Sequence, residues 1–204
     1  MKKFLSKLFG KNNNKYIYIV SGLPRSGTSM MMKMLDAGGI TPLVDNIRVA
    51  DEDNPKGYYE FERVKQLQKD KDWLPDAEGK VVKIISMLLQ HLPDDYSYKI
   101  IFMLRDIEEI LASQRKMLIR RGESPDKVGD DKMAVMYKNH LDKIKIQLEN
   151  KKNIEVLYVK YNEILNAPRE HCEKINNFLG GILNQQKMLT VIDKNLYRQR
   201  KKSD

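Results

Sequence analysis

The apolar run Tyr16-Ile-Tyr-Ile-Val-Ser21 enters a turn bounded by Gly22 and Gly27, and the turn opens into the helix-like run Met30–Ala37. No other segment constrains the fold as strongly. A buried strand that turns through glycines into a helix gathers backbone N–H groups at the helix N-terminus, where they attract an anion. The spelling departs from the triphosphate-binding loop G-x-x-x-x-G-K-[ST]. Gly22 and Gly27 keep its spacing, but Thr28 stands where the lysine belongs. In Pro24-Arg-Ser-Gly-Thr-Ser29, the hydroxyls of Ser26, Thr28 and Ser29 lie beside those amides. Arg25 adds a planar, permanently charged fork suited to phosphate or sulfate. Without the lysine, and with no evident acid to hold magnesium, metal-assisted triphosphate chemistry fits poorly.

Three more runs read as buried strands: Lys80–Ile85, Lys99–Leu104 and Ile154–Val159, each short and rich in Val, Ile or Tyr. Helical patterns alternate with them over Ser26–Ala37, Phe61–Lys71, Ile107–Arg121, Lys132–Asn150, Arg169–Leu179 and Gln185–Asp193. Alternating strands and helices predict an α/β fold, a parallel sheet covered on both faces. In such sheets ligands bind beyond the carboxyl ends of the strands. The loops after Ser21, Ile85, Leu104 and Val159 are therefore expected to line one site. The long stretch Gly38–Glu60, with Pro42, Pro55 and Gly57, reads as irregular and functional.

The 204 residues suit one domain with a substantial core. We expect that domain over residues 15–197, between a basic leader (1–14) and a basic tail (198–204). The single cysteine, Cys172, excludes an internal disulfide, the three histidines form no zinc pattern, and the expected compartment is the cytoplasm. A net charge of +9 biases partners toward anions. No nucleic-acid motif interleaves aromatics with the basic residues, so specific nucleic-acid binding is not expected. Phe4, Leu5, Leu8 and Phe9 among Lys2, Lys3 and Lys7 allow at most a weak membrane-surface contact through residues 1–10.

A second anion pocket is written in Ile100-Ile-Phe-Met-Leu-Arg-Asp106. Arg105 lies at a strand's carboxyl end, and Ser113 follows eight residues later, about two turns into the next helix. An arginine at a strand end also suits a local ion pair; coupling to the first loop is what gives the pair its meaning.

Together these segments resemble the sulfotransferases that use 3′-phosphoadenosine 5′-phosphosulfate as donor. The family's P-[KR]-S-G-T loop, which holds the 5′-phosphosulfate, reads here Pro24-Arg25-Ser26-Gly27-Thr28. Its arginine with a serine eight residues on, both gripping the 3′-phosphate, reads Arg105 and Ser113. The arginine form of the loop looks most like the tyrosylprotein-sulfotransferase branch and bacterial relatives. Tyr158-Val-Lys-Tyr-Asn-Glu-Ile-Leu165 is similar to the family's Tyr-Glu-Asp-Leu segment and adds Tyr161 to the donor site. The resemblance implies a three-layer fold of the P-loop NTPase type, with four to five parallel strands flanked by helices. It also implies sulfuryl transfer, without a metal, from that donor to a hydroxyl or phenol.

Such a transfer needs a base, an aligned donor and cations over the leaving phosphate. Arg25 and the loop amides would stabilise charge on the bridging oxygen. Lys83 is a candidate second cation, resembling the lysine of the cytosolic members' Lys-Thr-His motif, in which Ile85 here takes the histidine's place. The tyrosylprotein branch uses a downstream glutamate; aligned without gaps from Arg25, that position falls on Asn46, with Asp45 beside it and Arg48 two residues on. Asp45 and Glu60 are the candidate bases. Glu60 is favoured because Tyr58, Tyr59 and Phe61 flank it, a setting that suits a base working near neutrality. A non-catalytic nucleotide-binding module and a kinase with a degenerate loop are the alternatives. Acceptor identity and oligomeric state have no signature in the sequence.

Overall fold

A computed structural model describes residues 16–45, 47, 57–125 and 128–193. The leader, the basic tail, Asn46 and Arg48 lie outside the described residues. Four strands form one sheet: β1 (Ile17–Gly22), β2 (Val81–Lys83), β3 (Tyr98–Leu104) and β4 (Ile154–Lys160). All pairings are parallel and the order is β2-β1-β3-β4. The side chains alternate as the pleat requires. Ile17 and Ile19 enter one core with Trp73, Leu74, Val82, Ile84, Ile100 and Phe102. Val20, Ile101, Met103 and Val159 enter the other, with Met31, Met32, Leu35, Ile164, Cys172 and Ile175. Burial on both faces explains why the strands read as nearly continuous apolar runs.

The helices that cover the sheet are α1 (Thr28–Gly38), α2 (Leu74–Ala77), α3 (Ile107–Arg120), α4 (Asp130–Glu149), α5 (Tyr161–Asn166), α6 (Pro168–Phe178) and α7 (Gln185–Val191). α1, α5, α6 and α7 supply the Met31 core; α2 and the inner stripe of α4, Ile144 and Leu148, supply the Trp73 core. The result is the three-layer α/β fold expected from the sequence. No helix among the described residues is long and apolar enough to cross a membrane.

Two elements expected from the sequence take another form, and the 3₁₀ helix Ser86–His91 and α5 are elements the sequence reading did not include. The helix expected over Phe61–Lys71 is a 3₁₀ turn, Glu62–Gln66, followed by irregular chain and then α2. Its apolar residues Phe61, Val64 and Leu67 recur every three positions, the repeat of a 3₁₀ turn rather than an α-helix. Phe61 packs edge-on against Trp73, with ring centroids 5.5 Å apart, which draws the chain back over the core. The second strand is also shorter than expected, Val81–Lys83, because β2 is an edge strand and the chain leaves it as Ile85 becomes exposed.

The order β2-β1-β3-β4 places the functional site. The chain passes from β1 to β2 on one side, then returns to add β3 on the other. The crevice between the carboxyl ends of β1 and β3 is thus the topological switch point, where ligands bind in open α/β sheets. The register pairs Gly22 with Met103, so the loop after β1 and Arg105 after β3 start side by side.

Candidate donor-binding and catalytic site

The loop between β1 and α1 is held open by backbone geometry. Gly27 caps α1 at φ 98° with no side-chain cap bond, so no side chain competes for the first amides of the helix. The residue is glycine for a second reason: a Cβ there would stand 2.4 Å from Cδ2 of Tyr161. Ser26 is fully buried and its Oγ has no hydrogen-bond partner among the described residues, a polar atom aimed at nothing the protein supplies. Pro24 is exposed at the loop tip, and Thr28 and Ser29 are half-buried where the helix begins. Ser29 Oγ donates to the carbonyl of Tyr58 at 3.4 Å. This cradle of helix amides and hydroxyls suits a tetrahedral anion.

Arg25 lies in the left-handed region, φ 70°, an uncommon conformation for a residue with a side chain. Its Nε donates to Ser113 Oγ at 2.9 Å, and its carbonyl accepts from Arg105 Nη1 at 3.1 Å. Two motifs 80 and more residues apart in sequence therefore meet as one site. Ser113 reaches it from the buried side of α3. Arg105 is followed by Asp106, whose carboxylate accepts from Glu108 N at 2.9 Å and caps α3. Arg105 itself pairs with Glu109, one helical turn on, with Nε 2.9 Å from Oε2. Tyr161, the first residue of α5, covers the other face: the Arg105 guanidinium carbon is 4.9 Å from the ring centroid. Tyr161 is thus wedged between Gly27 and Arg105, and burial pushes its phenol up.

The second half of the site comes from β2 and residues 57–60. Lys83, at the end of β2, is 10% exposed; its Nζ donates to the Tyr58 carbonyl and lies 3.5 Å from Glu60 Oε1. Lys83 Nζ also stands 5.9 Å over the Tyr58 ring. Tyr59 takes a left-handed turn, φ 52°, between the buried Tyr58 and Glu60. Its hydroxyl donates to Asp36 on α1 at 3.0 Å, and burial together with that bond pushes the phenol up to about 12. This pins the segment bearing Glu60 to the helix that starts the anion cradle.

The two candidate bases are placed differently. Asp45 Oδ1 accepts from Ile47 N at 3.1 Å and Oδ2 from Glu62 N at 2.6 Å, while Asp45 N donates to the Glu60 carbonyl at 3.3 Å. Its carboxylate thus ties the chain after Asp45 to the chain after Glu60. Glu60 instead presents its carboxylate to Lys83. Asp36 and Glu109 were not among the residues expected from sequence. The spacing of four between Arg105 and Glu109 is the one sequence signal that marks either of them.

The family model for the sulfotransferase domain matches residues 15–204. The fold is similar to the sulfotransferase domain of the Synechococcus PCC 7002 olefin synthase (TM-score 0.54, 13% identity, covering 93% of this chain and 81% of that one). It is similar also to mouse sulfotransferase SULT7A1 complexed with PAP (TM-score 0.52, 16% identity, 88% of this chain and 63% of that one). A third likeness is to retinol dehydratase in complex with androsterone and inactive cofactor PAP (TM-score 0.51, 18% identity, 85% and 62%). At these identities the structural likeness is one of fold, and the chain spans under two thirds of the last two proteins. No curated protein matches the sequence. With the family match running through both anion motifs and the fold agreeing, the chain belongs to the sulfotransferase family.

Proposed function

We propose that this protein transfers the sulfuryl group of 3′-phosphoadenosine 5′-phosphosulfate to a hydroxyl or phenol of an acceptor, by in-line displacement that uses no metal ion. The observation that carries this reading is the meeting of Arg25, Ser113 and Arg105. It sets a 5′-anion cradle at the start of α1 beside a second cationic pocket at the start of α3, as a nucleotide charged at both its 5′ and 3′ ends requires. Arg105 and Ser113 take the 3′-phosphate, with Tyr161 fixing Arg105 against the loop. Pro24 to Ser29 take the 5′-phosphosulfate.

In the transfer, a bond forms between the acceptor oxygen and sulfur while the bond from sulfur to the bridging oxygen breaks. Adenosine 3′,5′-bisphosphate leaves with the electron pair. Arg25 and the loop amides meet the charge that grows on that oxygen. Glu60 removes the acceptor proton, with Lys83 beside it as second cation. Arginine and lysine side chains supply the positive charge that a metal supplies in triphosphate chemistry. Glu60 is preferred to Asp45 because both Asp45 oxygens already accept backbone amides. The partners are thus the nucleotide donor and a hydroxyl acceptor.

Glu60→Gln keeps the shape of the site and removes the base. Turnover is expected to fall by about 10²-fold or more, with affinity for adenosine 3′,5′-bisphosphate within about twofold of wild type, as read by steady-state transfer and calorimetric titration. Full turnover in Glu60→Gln together with loss in Asp45→Asn would move the base to Asp45.

A further inference from the structure

Among the described residues Glu109 is the only buried carboxylate, with its side chain 2% exposed. Its place is unexpected for a site that receives a nucleotide carrying phosphates at both ends. A negative charge there offsets Arg105 and opposes the incoming 3′-phosphate. Simple electrostatic attraction would be stronger with a neutral residue at this position. What Glu109 supplies instead is geometry. Arg105 leaves the end of β3 on a long side chain with many rotamers, and a guanidinium recognises phosphate through the edges of a rigid plane. That plane is held at Nε by Glu109 (2.9 Å), at Nη1 by the carbonyl of Arg25 (3.1 Å) and across one face by Tyr161 (4.9 Å). Of the three holds, Glu109 is the only one that comes from the helix following β3. It sits one turn from Ser113, on the same buried side of α3. A single helix thus carries both the hydroxyl expected at the 3′-phosphate and the carboxylate that orients the arginine opposite it.

We propose that Glu109 is a positioning residue that sets discrimination between 3′-phosphorylated and 3′-unphosphorylated nucleotides, acting through the orientation of Arg105 and not through its own charge. Pre-organising Arg105 lowers the ordering cost of binding, which offsets the repulsion the carboxylate introduces. The inference rests on the donor reading given above.

The test compares adenosine 3′,5′-bisphosphate with adenosine 5′-monophosphate, titrated calorimetrically into the full-length chain. Wild type is expected to favour the bisphosphate; a ratio near one overturns the donor reading itself, and this inference with it. Glu109→Met fills the same space without an acceptor for Arg105 Nε. It is expected to lower the ratio at least about tenfold, the scale of a hydrogen bond to a charged group, while monophosphate affinity stays within about twofold. Glu109→Gln keeps an acceptor and loses the charge, and is expected to keep the ratio within about threefold of wild type. An unchanged ratio in Glu109→Met, or equal weakening of both nucleotides there, overturns the proposal. So does a Glu109→Gln ratio that collapses, and that measurement decides the matter even where Glu109→Met does not fold.

Discussion

Arg25→Ala is expected to lower turnover by about 10²-fold or more, the usual consequence of removing a principal donor to the oxyanion of a transition state. The size follows from what the side chain does at once. Its guanidinium is the cation carried on the cradle loop, and through Nε it holds Ser113, so its loss loosens the 3′-phosphate pocket as well. The loss should therefore appear in kcat and in kcat/KM together, the pattern of an interaction made chiefly in the transition state. Alanine at φ 70° also remains in a conformation that disfavours a Cβ, so the loop gains no relief from the substitution. Arg25→Lys retains the charge without the fork and should recover part of the rate. Steady-state transfer kinetics with the donor varied at fixed acceptor separates these effects. A kcat unchanged by Arg25→Ala would remove Arg25 from the chemistry.

Arg105→Ala is expected to act on binding and on stability together. The Arg105 side chain is 9% exposed and that of Glu109 2%, so the pair is shielded from solvent screening. Losing a buried, hydrogen-bonded cation opposite a phosphate costs about 2–5 kcal/mol, or at least roughly thirtyfold in the Kd of adenosine 3′,5′-bisphosphate. The substitution also removes the charged hydrogen bond that Arg105 makes to the buried Glu109 carboxylate, a loss of about 1.5–3 kcal/mol of folding free energy. For a domain of this size that lowers Tm by roughly 3–12 °C. The double variant Arg105→Met with Glu109→Met should recover most of the stability and none of the binding, because replacing both members of a buried pair by apolar side chains is often neutral. Thermal unfolding and titration on the same samples check both parts. Wild-type affinity in Arg105→Ala would place the 3′-phosphate elsewhere.

The local parts of this site could be read from sequence, while the parts that depend on non-local folding could not. Gly22 and Gly27 fix a strand, a turn and a helix within a short window, so the cradle was legible. Arg105 and Ser113 were legible because a strand end and a helical spacing define their positions. The order β2-β1-β3-β4 was not, because it depends on which distant strands pair, and no short window carries that information. The fate of Asp45 was hidden for the same reason. Only when the chain returns at Glu62 do its two oxygens find backbone amides. Glu109 shows the opposite case: its distance of four from Arg105 is plain in the sequence, but nothing local says that both side chains are buried. The turn at Glu62–Gln66 was misread as an α-helix because apolar residues three apart fit both helix types over so short a stretch.

The most direct test of the central claim is consumption of 3′-phosphoadenosine 5′-phosphosulfate by the full-length chain, in the presence of a metal chelator and a panel of phenolic and alcoholic acceptors. Release of adenosine 3′,5′-bisphosphate is followed by chromatography. The account predicts acceptor-dependent release that is unaffected by chelator and falls about 10²-fold in Arg25→Ala. Release that requires an added divalent metal, or tight binding of the bisphosphate with no transfer to any acceptor, would contradict it.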